Sequence, residues 1–482
     1  MLCSQIISSY RHKMLNTKES LDLWEKGFVE NTLEYGADKL GSDDNELFSN
    51  VYHKLVHSPA LDTILQVEHS YALVIDKIIK ERDEELDALA LKQTEEMSKA
   101  LEGLGLGLTE SDITAIAKRQ QEEHGLEIAR WQSKLDAVRD SQKAEYRDWL
   151  MSLLASSCDS SISTPLNSPI GVKEIISEGY LNQAPTLQES FTIHLGSQMK
   201  QMYNIRILAA DVLDFCKLRI NSSGELETQP QRLPTALGLY SNDLYGLVIL
   251  SDNHLGGFSG ITKDLVNVCE MSTELHFPNI EIQLENIRES VKTGIEWRKH
   301  NVNCDSNLLT TSEQQSRKSG TKYLQTGDVY ITKHSNLSDV HVIFHMVLDD
   351  STKSGDITSR HPGILGLRNI MKCACSNDIS TLTIPVLLTH EIFNEMTLAW
   401  CVKRAELVYK CVKGFMIEMA SWGGSEIKNL QFLLPKGINE EIFSCLAGLL
   451  PSIFRVSNPL ILKASSSTRT PSITSFEKNS CL

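Results

Sequence analysis

Residues 245–265 read YGLVILSDNHLGGFSGITKDL, and this stretch sets the reading of the C-terminal half. The run Leu247, Val248, Ile249 and Leu250 has the length and character of a strand buried on both faces. It ends at Ser251, Asp252 and Asn253. A segment holding Gly256, Gly257 and Gly260 follows, and then Ile261, Leu265 and Val268 fall at helical spacing. Strand, glycine segment and helix is the layout that cradles phosphate groups on main-chain amides.

The same alternation continues downstream. VHVIFHMVL, STLTIPVLL and NLQFLLP read as short apolar strands. HPGILGLRNIMKCACSN, LAWCVKRAELVYKCVKGFMIEMAS and NEEIFSCLAGLLPSIF read as the helices between and after them. Short buried strands alternating with helices predict an α/β three-layer domain over 235–462, with a disordered polar loop at 300–325 and a disordered tail at 463–482. The glycine segment does not match a P-loop, because Gly260 is followed by Ile261 and Lys263 arrives too late. It does not match the spacing of a dinucleotide fingerprint either. It resembles a macro domain, in which a strand ends in a short Asn-containing turn before a glycine run. On that reading Asn253, Gly256 and Gly257 would meet an ADP-ribose-type ligand, the alternative being a reader or hydrolase of such ligands. A second glycine-rich loop would be needed after Pro385, and the sequence places Val386, Leu387 and Leu388 there. The expectation is therefore a macro-like scaffold without a cofactor, whose glycines serve the turn.

Upstream the pattern is helical. Residues 1–60 predict short helices, with Leu21, Trp24, Phe28 and Leu33 at helical spacing. Leu65, Ala72, Ile75, Ile79, Arg82, Leu86 and Leu89 form a stripe close to heptad spacing. GLGLGLTESD interrupts it, and Thr109 or Ser111 can cap a second helix. That helix carries Ile128, Trp131, Leu135, Val138, Gln142 and Trp149 on one face. Together they predict a long antiparallel helical hairpin over 61–154, a coiled coil whose Trp131–Gln142 stripe is partly covered by a partner chain. A Ser-rich linker is expected at 155–182. Residues 183–220, with Phe191, Ile193, Leu195, Met199, Met202, Ile205, Leu208, Val212 and Phe215, predict a long helix packing on the C-terminal domain. The fold class expected is thus α+β in several units, all-α first and α/β after.

Composition bounds the chemistry. The chain has 482 residues, 41% of them hydrophobic, and a net charge of -15. That charge opposes coating of nucleic acid, so direct RNA binding by this chain alone is expected to be weak. No apolar run approaches a bilayer span, and the first residues lack a signal-peptide pattern. The 11 cysteines are scattered as buried free thiols would be. Cys373 and Cys375 have no second pair at zinc spacing, so no metal site is expected. His334, His341 and His345 could place two imidazoles on one strand face, yet no acidic or thiol partner follows, which favours core histidines. Asp356 and Arg360 read as a turn and helix cap. Trp422 before Gly423 and Gly424 reads as a helix end. No Ser-His-acid arrangement stands out, so no catalytic residue is expected.

Several stretches together resemble a known family. They are VYHKLVHSPALDTILQVEHSYALVI, ESFTIHLGSQMKQMYNIRILAADVLDFCK, SGITKDLVNVC, ITKHSNLSDVHVIFH, GILGLRNIMK, RAELVYKCVKGFMIEMASWGG and LPSIFRVSNPL. The chain is similar over about Glu19–Leu462 to the third-subunit family of FERRY, a five-subunit endosomal complex. Members of the family usually carry a further N-terminal segment. The resemblance implies a non-enzymatic subunit of an early-endosome Rab effector complex, cytoplasmic and associated with early endosomes. It implies links to mRNA, mRNA transport and the translation machinery, and to mast-cell degranulation. The partners implied are the other subunits, with mRNA and the Rab GTPase reached through the complex and no membrane insertion.

Overall fold

The computed structural model describes residues 44–157, 187–195, 201–253, 260–304, 324–421 and 427–454, apart from positions 105, 106, 108, 222, 228–230 and 354–356. Among these, residues up to Tyr71 together with those from Ala88 to 157 form one compact unit. Ala72–Asp87 and the residues from 187 onward form the other. The expectations for residues 1–43 and for the tail fall outside the described residues, as does most of the linker expected at 155–182, whose residues 155–157 belong to a helix instead.

The first unit is helical. A helix over 44–56 (α1) buries Phe48, Val51, Tyr52, Leu55 and Val56. Leu61–Glu102 (α2) and Glu110–Ser157 (α3) are the two long helices. Thr109 caps α3, and Asp112 returns the bond by accepting from the Thr109 amide at 2.9 Å and from its hydroxyl at 2.7 Å. One buried acid ties the helices together. Glu68 of α2 accepts from the Tyr146 hydroxyl of α3 at 2.5 Å and from the Tyr52 hydroxyl of α1 at 3.3 Å. Farther along, Gln142 donates to the Tyr71 carbonyl at 3.3 Å. Gln93 and Gln120 each donate their side-chain amide to the other's main-chain carbonyl at 3.1 Å. Residue numbers thus rise on α2 as they fall on α3. The seam is apolar near Tyr146 and polar near Gln93, so the tip depends on hydrogen bonds more than on burial.

The stripe expected to meet a partner is covered within the chain. Trp131 and Leu135 are 3% and 1% exposed, and Gln142 is buried beside them. Lys134 Nζ lies 4.1 Å from the Trp131 ring centre and Arg130 lies over the same ring. Apolar residues left outside include Leu91, Leu101, Leu126 and Ile128.

The second unit is built on one seven-stranded sheet in the order β1-β2-β7-β6-β3-β5-β4. Its strands are β1 Leu187–Leu195, β2 Gln201–Ala209, β3 Leu244–Ser251, β4 Val329–Lys333, β5 Val342–Val347, β6 Ile379–Pro385 and β7 Asn429–Leu434. The pairs β2–β7, β7–β6, β6–β3 and β3–β5 are parallel, and β1 and β4 close the two sides antiparallel. The helices that follow the start of this unit are α4 Leu233–Gly238, α5 Gly260–Glu270, α6 Ile280–Cys304, α7 Pro362–Ser376, α8 Leu398–Ala420 and α9 Glu440–Phe454.

Two apolar clusters flank the sheet. On one face Val248, Phe344, Leu382, Ile384, Leu430 and Phe432 pack with residues of α7, α8 and α9. On the other, Leu247, Ile249, Ile343 and Val347 pack with Leu265 of α5 and Leu284 of α6. Alternate residues of β3 and β5 thus serve opposite layers. This double burial explains why these strands are almost wholly apolar.

The described residues of 183–220 are not the expected long helix. They form β1 and β2, joined antiparallel with Phe191 opposite Ile205, followed by a short 3-10 turn at Val212–Phe215. Phe191, Ile193, Tyr203, Ile205 and Ile207 are buried on one face, and Gln188, Asn204 and Arg206 point to the other. That is a period of two, and the β-branched residues suit it. The α/β unit therefore begins at β1 rather than at 235. Of the loop expected at 300–325, residues 300–304 belong to α6 and 305–323 lie outside the described residues.

Tyr146→Phe is expected to destabilise the first unit by about 1.5–3 kcal/mol, since it removes a buried donor to a carboxylate. Tyr52→Phe should cost less, its bond being longer. Urea melts of the two variants check the order, and equal, near-zero losses would refute it.

Candidate functional site

The parallel strands β3, β6 and β7 deliver their C-terminal ends to one edge of the sheet, where α/β domains carry ligand sites. At the end of β3, Asp252 and Asn253 are exposed. Gly256 and Gly257 lie outside the described residues. Gly260 opens α5 with φ +58°, a left-handed conformation that glycine adopts without strain.

Several main-chain groups at this edge bond within the protein. The Leu250 amide donates to His390 Nε2 at 2.9 Å. Burial pulls the His390 pKa down to about 4, so the ring is neutral and its Nε2 is free to accept. After β6, the Val386 amide donates to the Leu433 carbonyl at 3.0 Å and the Leu388 amide to the Pro385 carbonyl at 3.2 Å. Val386, Leu387 and Leu388 are 0%, 0% and 3% exposed. Arg404 of α8, itself 3% exposed, donates to the Leu387 carbonyl at 3.4 Å. Its guanidinium lies 4.6 Å from the Trp400 ring centre, and burial lowers its pKa to about 10.

Leu388 has φ +55°. A leucine in the left-handed region costs roughly 1–2 kcal/mol. The turn after β6 keeps a backbone shape that glycine would take freely, and a buried leucine fills the space instead. Sequence reasoning found the bulky residues but not the backbone conformation, which leaves no mark in the sequence. It also missed His390 and Arg404, whose spacing from β3 and β6 gives no local signal.

His341 is committed separately, and His334 and His345 share one hydroxyl. His341 accepts from the Tyr245 amide at Nδ1, 3.0 Å, and its Nε2 donates to the Thr235 carbonyl at 3.0 Å. His334 and His345 both meet the Thr332 hydroxyl through Nε2, at 2.8 and 2.9 Å. The other nitrogen of His334 faces the Cys269 thiol at 3.7 Å, and the His345 ring stacks on Tyr330. Burial pushes His334 and His345 down to about 3, with His334 adding to the effect on His345. These are neutral core rings. Among the described residues no group of three or more His, Cys, Asp or Glu side chains could hold a metal ion. Cys373 and Cys375 lie on α7, half-buried and buried. Asp356, Trp422, Gly423 and Gly424 are outside the described residues. Arg360 is exposed in the turn before α7, where His361 provides the cap by accepting from the Gly363 amide. Among the described residues no helix is long and apolar enough to cross a membrane.

Fold and edge together define a mixed α+β protein in which long helices precede a sheet domain whose β6 turn bonds to β7 and α8. The family model described as Ferry endosomal RAB5 effector complex subunit 3 matches residues 3–460, and the chain belongs to that family. A Homo sapiens relative of that name is 43% identical over 450 residues, covering 91% of this chain and 81% of its own length. A Mus musculus relative of the same name is 44% identical over 451 residues, with the same coverage. Among solved structures, a macrodomain mutant of Oceanobacillus iheyensis with ADPR is 11% identical. It covers 55% of this chain and 99% of its own, at a TM-score of 0.29, too low to carry an argument.

Leu388→Ala is expected to cost about 2–5 kcal/mol through lost burial. Leu388→Gly should be the milder of the two by about 1 kcal/mol, because it relieves the left-handed strain. Denaturant midpoints decide the order. A glycine variant clearly less stable than the alanine variant would contradict the strain at this turn.

Proposed function

We propose that this chain is a non-enzymatic subunit of an early-endosomal Rab effector complex. Through the complex it links endosomes to mRNA and the translation machinery and supports mRNA localisation. The observation that carries this reading is the identity of 43% over 91% of the chain to relatives named as subunits of an endosomal RAB5 effector complex. The partners are then the other subunits, with mRNA and the Rab GTPase met through them. The location is the cytoplasmic side of early endosomes.

In this reading α2 and α3 form an antiparallel hairpin that serves as an interaction arm. The pairing of Glu68 with Tyr146 and of Gln93 with Gln120 supports the antiparallel arrangement. Leu91 and Leu126, 66% and 73% exposed, are the apolar side chains the arm offers to a partner. Trp131 and Leu135 are not, since both are already covered. The sheet domain, macro-like in the order of its strands and helices, acts as a rigid scaffold. Gly260, with its positive φ, serves the entry into α5. An ADP-ribose-directed role is disfavoured by His390 on the Leu250 amide and by Leu388 in the β6 turn. Direct RNA binding by this chain alone is disfavoured by its net charge of -15.

Affinity purification of the tagged full chain, with its partners identified by mass spectrometry, is expected to recover the other subunits in stoichiometric amounts. Leu91→Glu combined with Leu126→Glu should reduce that recovery at least about fivefold at an unchanged melting temperature, as loss of contact residues does. Recovery of the chain alone would overturn the complex assignment. Full recovery with the double variant would overturn the role of the arm.

A further inference from the structure

β1 is the outermost strand on its side of the sheet, and among the described residues β2 is its one strand neighbour. The Asn204 amide donates to the Lys428 carbonyl at 2.8 Å, and the Ala210 amide donates to the Leu434 carbonyl at 3.2 Å. Even-numbered residues of β2 therefore turn their main chain toward β7, and odd-numbered ones turn it toward β1. Leu187, Glu189, Phe191 and Ile193 of β1 stand opposite those odd-numbered residues and are consumed by the pairing. Gln188, Ser190 and Thr192 point their N–H and C=O groups away from β2, and among the described residues no main-chain partner meets them there. The other side of the sheet is treated differently. There Gln283 of α6 donates to the Lys333 carbonyl of β4 at 2.8 Å and accepts from the Lys333 amide at 2.9 Å.

One side chain on this strand breaks the pattern of its face. Glu189 stands opposite Ile207, on the face that carries Leu187, Phe191 and Ile193 and against which α9 packs. It is half-buried, and burial holds its carboxyl above its ordinary pKa with no neighbouring charge to offset the effect. An acid turned toward the apolar face of an edge strand opposes pairing with an uncharged or acidic strand. A strand that sets a cation beside it turns the same position into a favourable cross-strand pair. The other face of β1 is polar, with Gln188 accepting from Arg206.

We propose that the free edge of β1 takes up an extended segment of a partner protein as an added strand, with a lysine or arginine opposite Glu189 and apolar side chains beside Leu187 and Phe191. The outward groups of Gln188, Ser190 and Thr192 supply the main-chain bonds, and the alternate side chains select the partner. The segment so defined alternates polar residues with an apolar, basic, apolar series. A second copy of this chain does not fit that description. β1 reads LQESFTIHL and offers no lysine or arginine to set against Glu189.

The test is fluorescence polarisation on the full chain with two labelled peptides, Thr-Val-Thr-Lys-Thr-Val-Thr amide and the same sequence with glutamate in place of lysine. The lysine peptide is expected to bind saturably, with a dissociation constant between about 10 µM and 1 mM, and the glutamate peptide at least about tenfold more weakly. Ser190→Pro removes an outward N–H without touching the bonds to β2. It should weaken the lysine peptide at least about tenfold at an unchanged melting temperature. Glu189→Lys should reverse the preference, so that the glutamate peptide binds at least about threefold tighter than the lysine peptide, a readout that a merely unfolded edge cannot give. Equal binding of the two peptides to the unaltered chain overturns the proposal. So do a preference that Glu189→Lys leaves unchanged, undiminished binding to a folded Ser190→Pro variant, and absence of saturable binding up to about 1 mM. Slow hydrogen exchange at the Gln188, Ser190 and Thr192 amides in the free chain would show the edge covered by the chain itself, and overturns it as well.

Discussion

The hydrogen bond from the Leu250 amide to His390 fixes what the C-terminal edge of the sheet can do. A main-chain amide at the end of a parallel strand is a ready donor for an anionic ligand. Here it is spent inside the protein, on an imidazole that burial keeps neutral. The turn after β6 follows the same rule: its amides bond to the Leu433 and Pro385 carbonyls, and the Leu387 carbonyl receives Arg404. Leu388 accepts a left-handed backbone to place its side chain in the interior. Strain of that kind persists only where the surroundings over-determine it. The gain is an edge at which hydrogen bonds and burial tie β3, β6, β7 and α8 together.

The five parallel strands at the centre lie between two helical layers, and their side chains divide between two apolar clusters. The helical unit has a different economy. Near Glu68 its helices are fastened by a buried acid with two tyrosine donors. Toward the tip the reciprocal Gln93–Gln120 bonds replace burial, and leucines remain outside. A helix pair so arranged holds its shape without consuming all of its apolar surface.

The legible parts of the sequence were those where burial on both faces made the strand uniform. β3, β5, β6 and β7 are apolar runs of strand length, and α7, α8 and α9 alternate with them at 3.6-residue spacing. The stretch 187–209 was misleading, because Phe191, Ile193 and Leu195 are followed by Met199 and Met202, which also fit a helical stripe. The two-residue period of Tyr203, Ile205 and Ile207 was the better signal. α6 was illegible for the opposite reason: it is anchored by Ile280, Leu284 and Ile287 on a charged helix. β4 is a short edge strand, with Tyr330 and Thr332 inward and Ile331 and Lys333 outward. For the site, the bulk at Val386–Leu388 could be read, whereas Leu388's positive φ, the reach of His390 to β3 and the burial of Arg404 are products of tertiary packing.

The reading proposed for this domain, a scaffold rather than a reader of ADP-ribose-type ligands, rests on the internal bonds at Leu250 and in the β6 turn. Isothermal titration of the full chain with ADP-ribose tests it most directly. The account predicts no saturable heat up to about 1 mM ligand, a limit on affinity of roughly -4 kcal/mol. A single-site isotherm with a micromolar dissociation constant would contradict it.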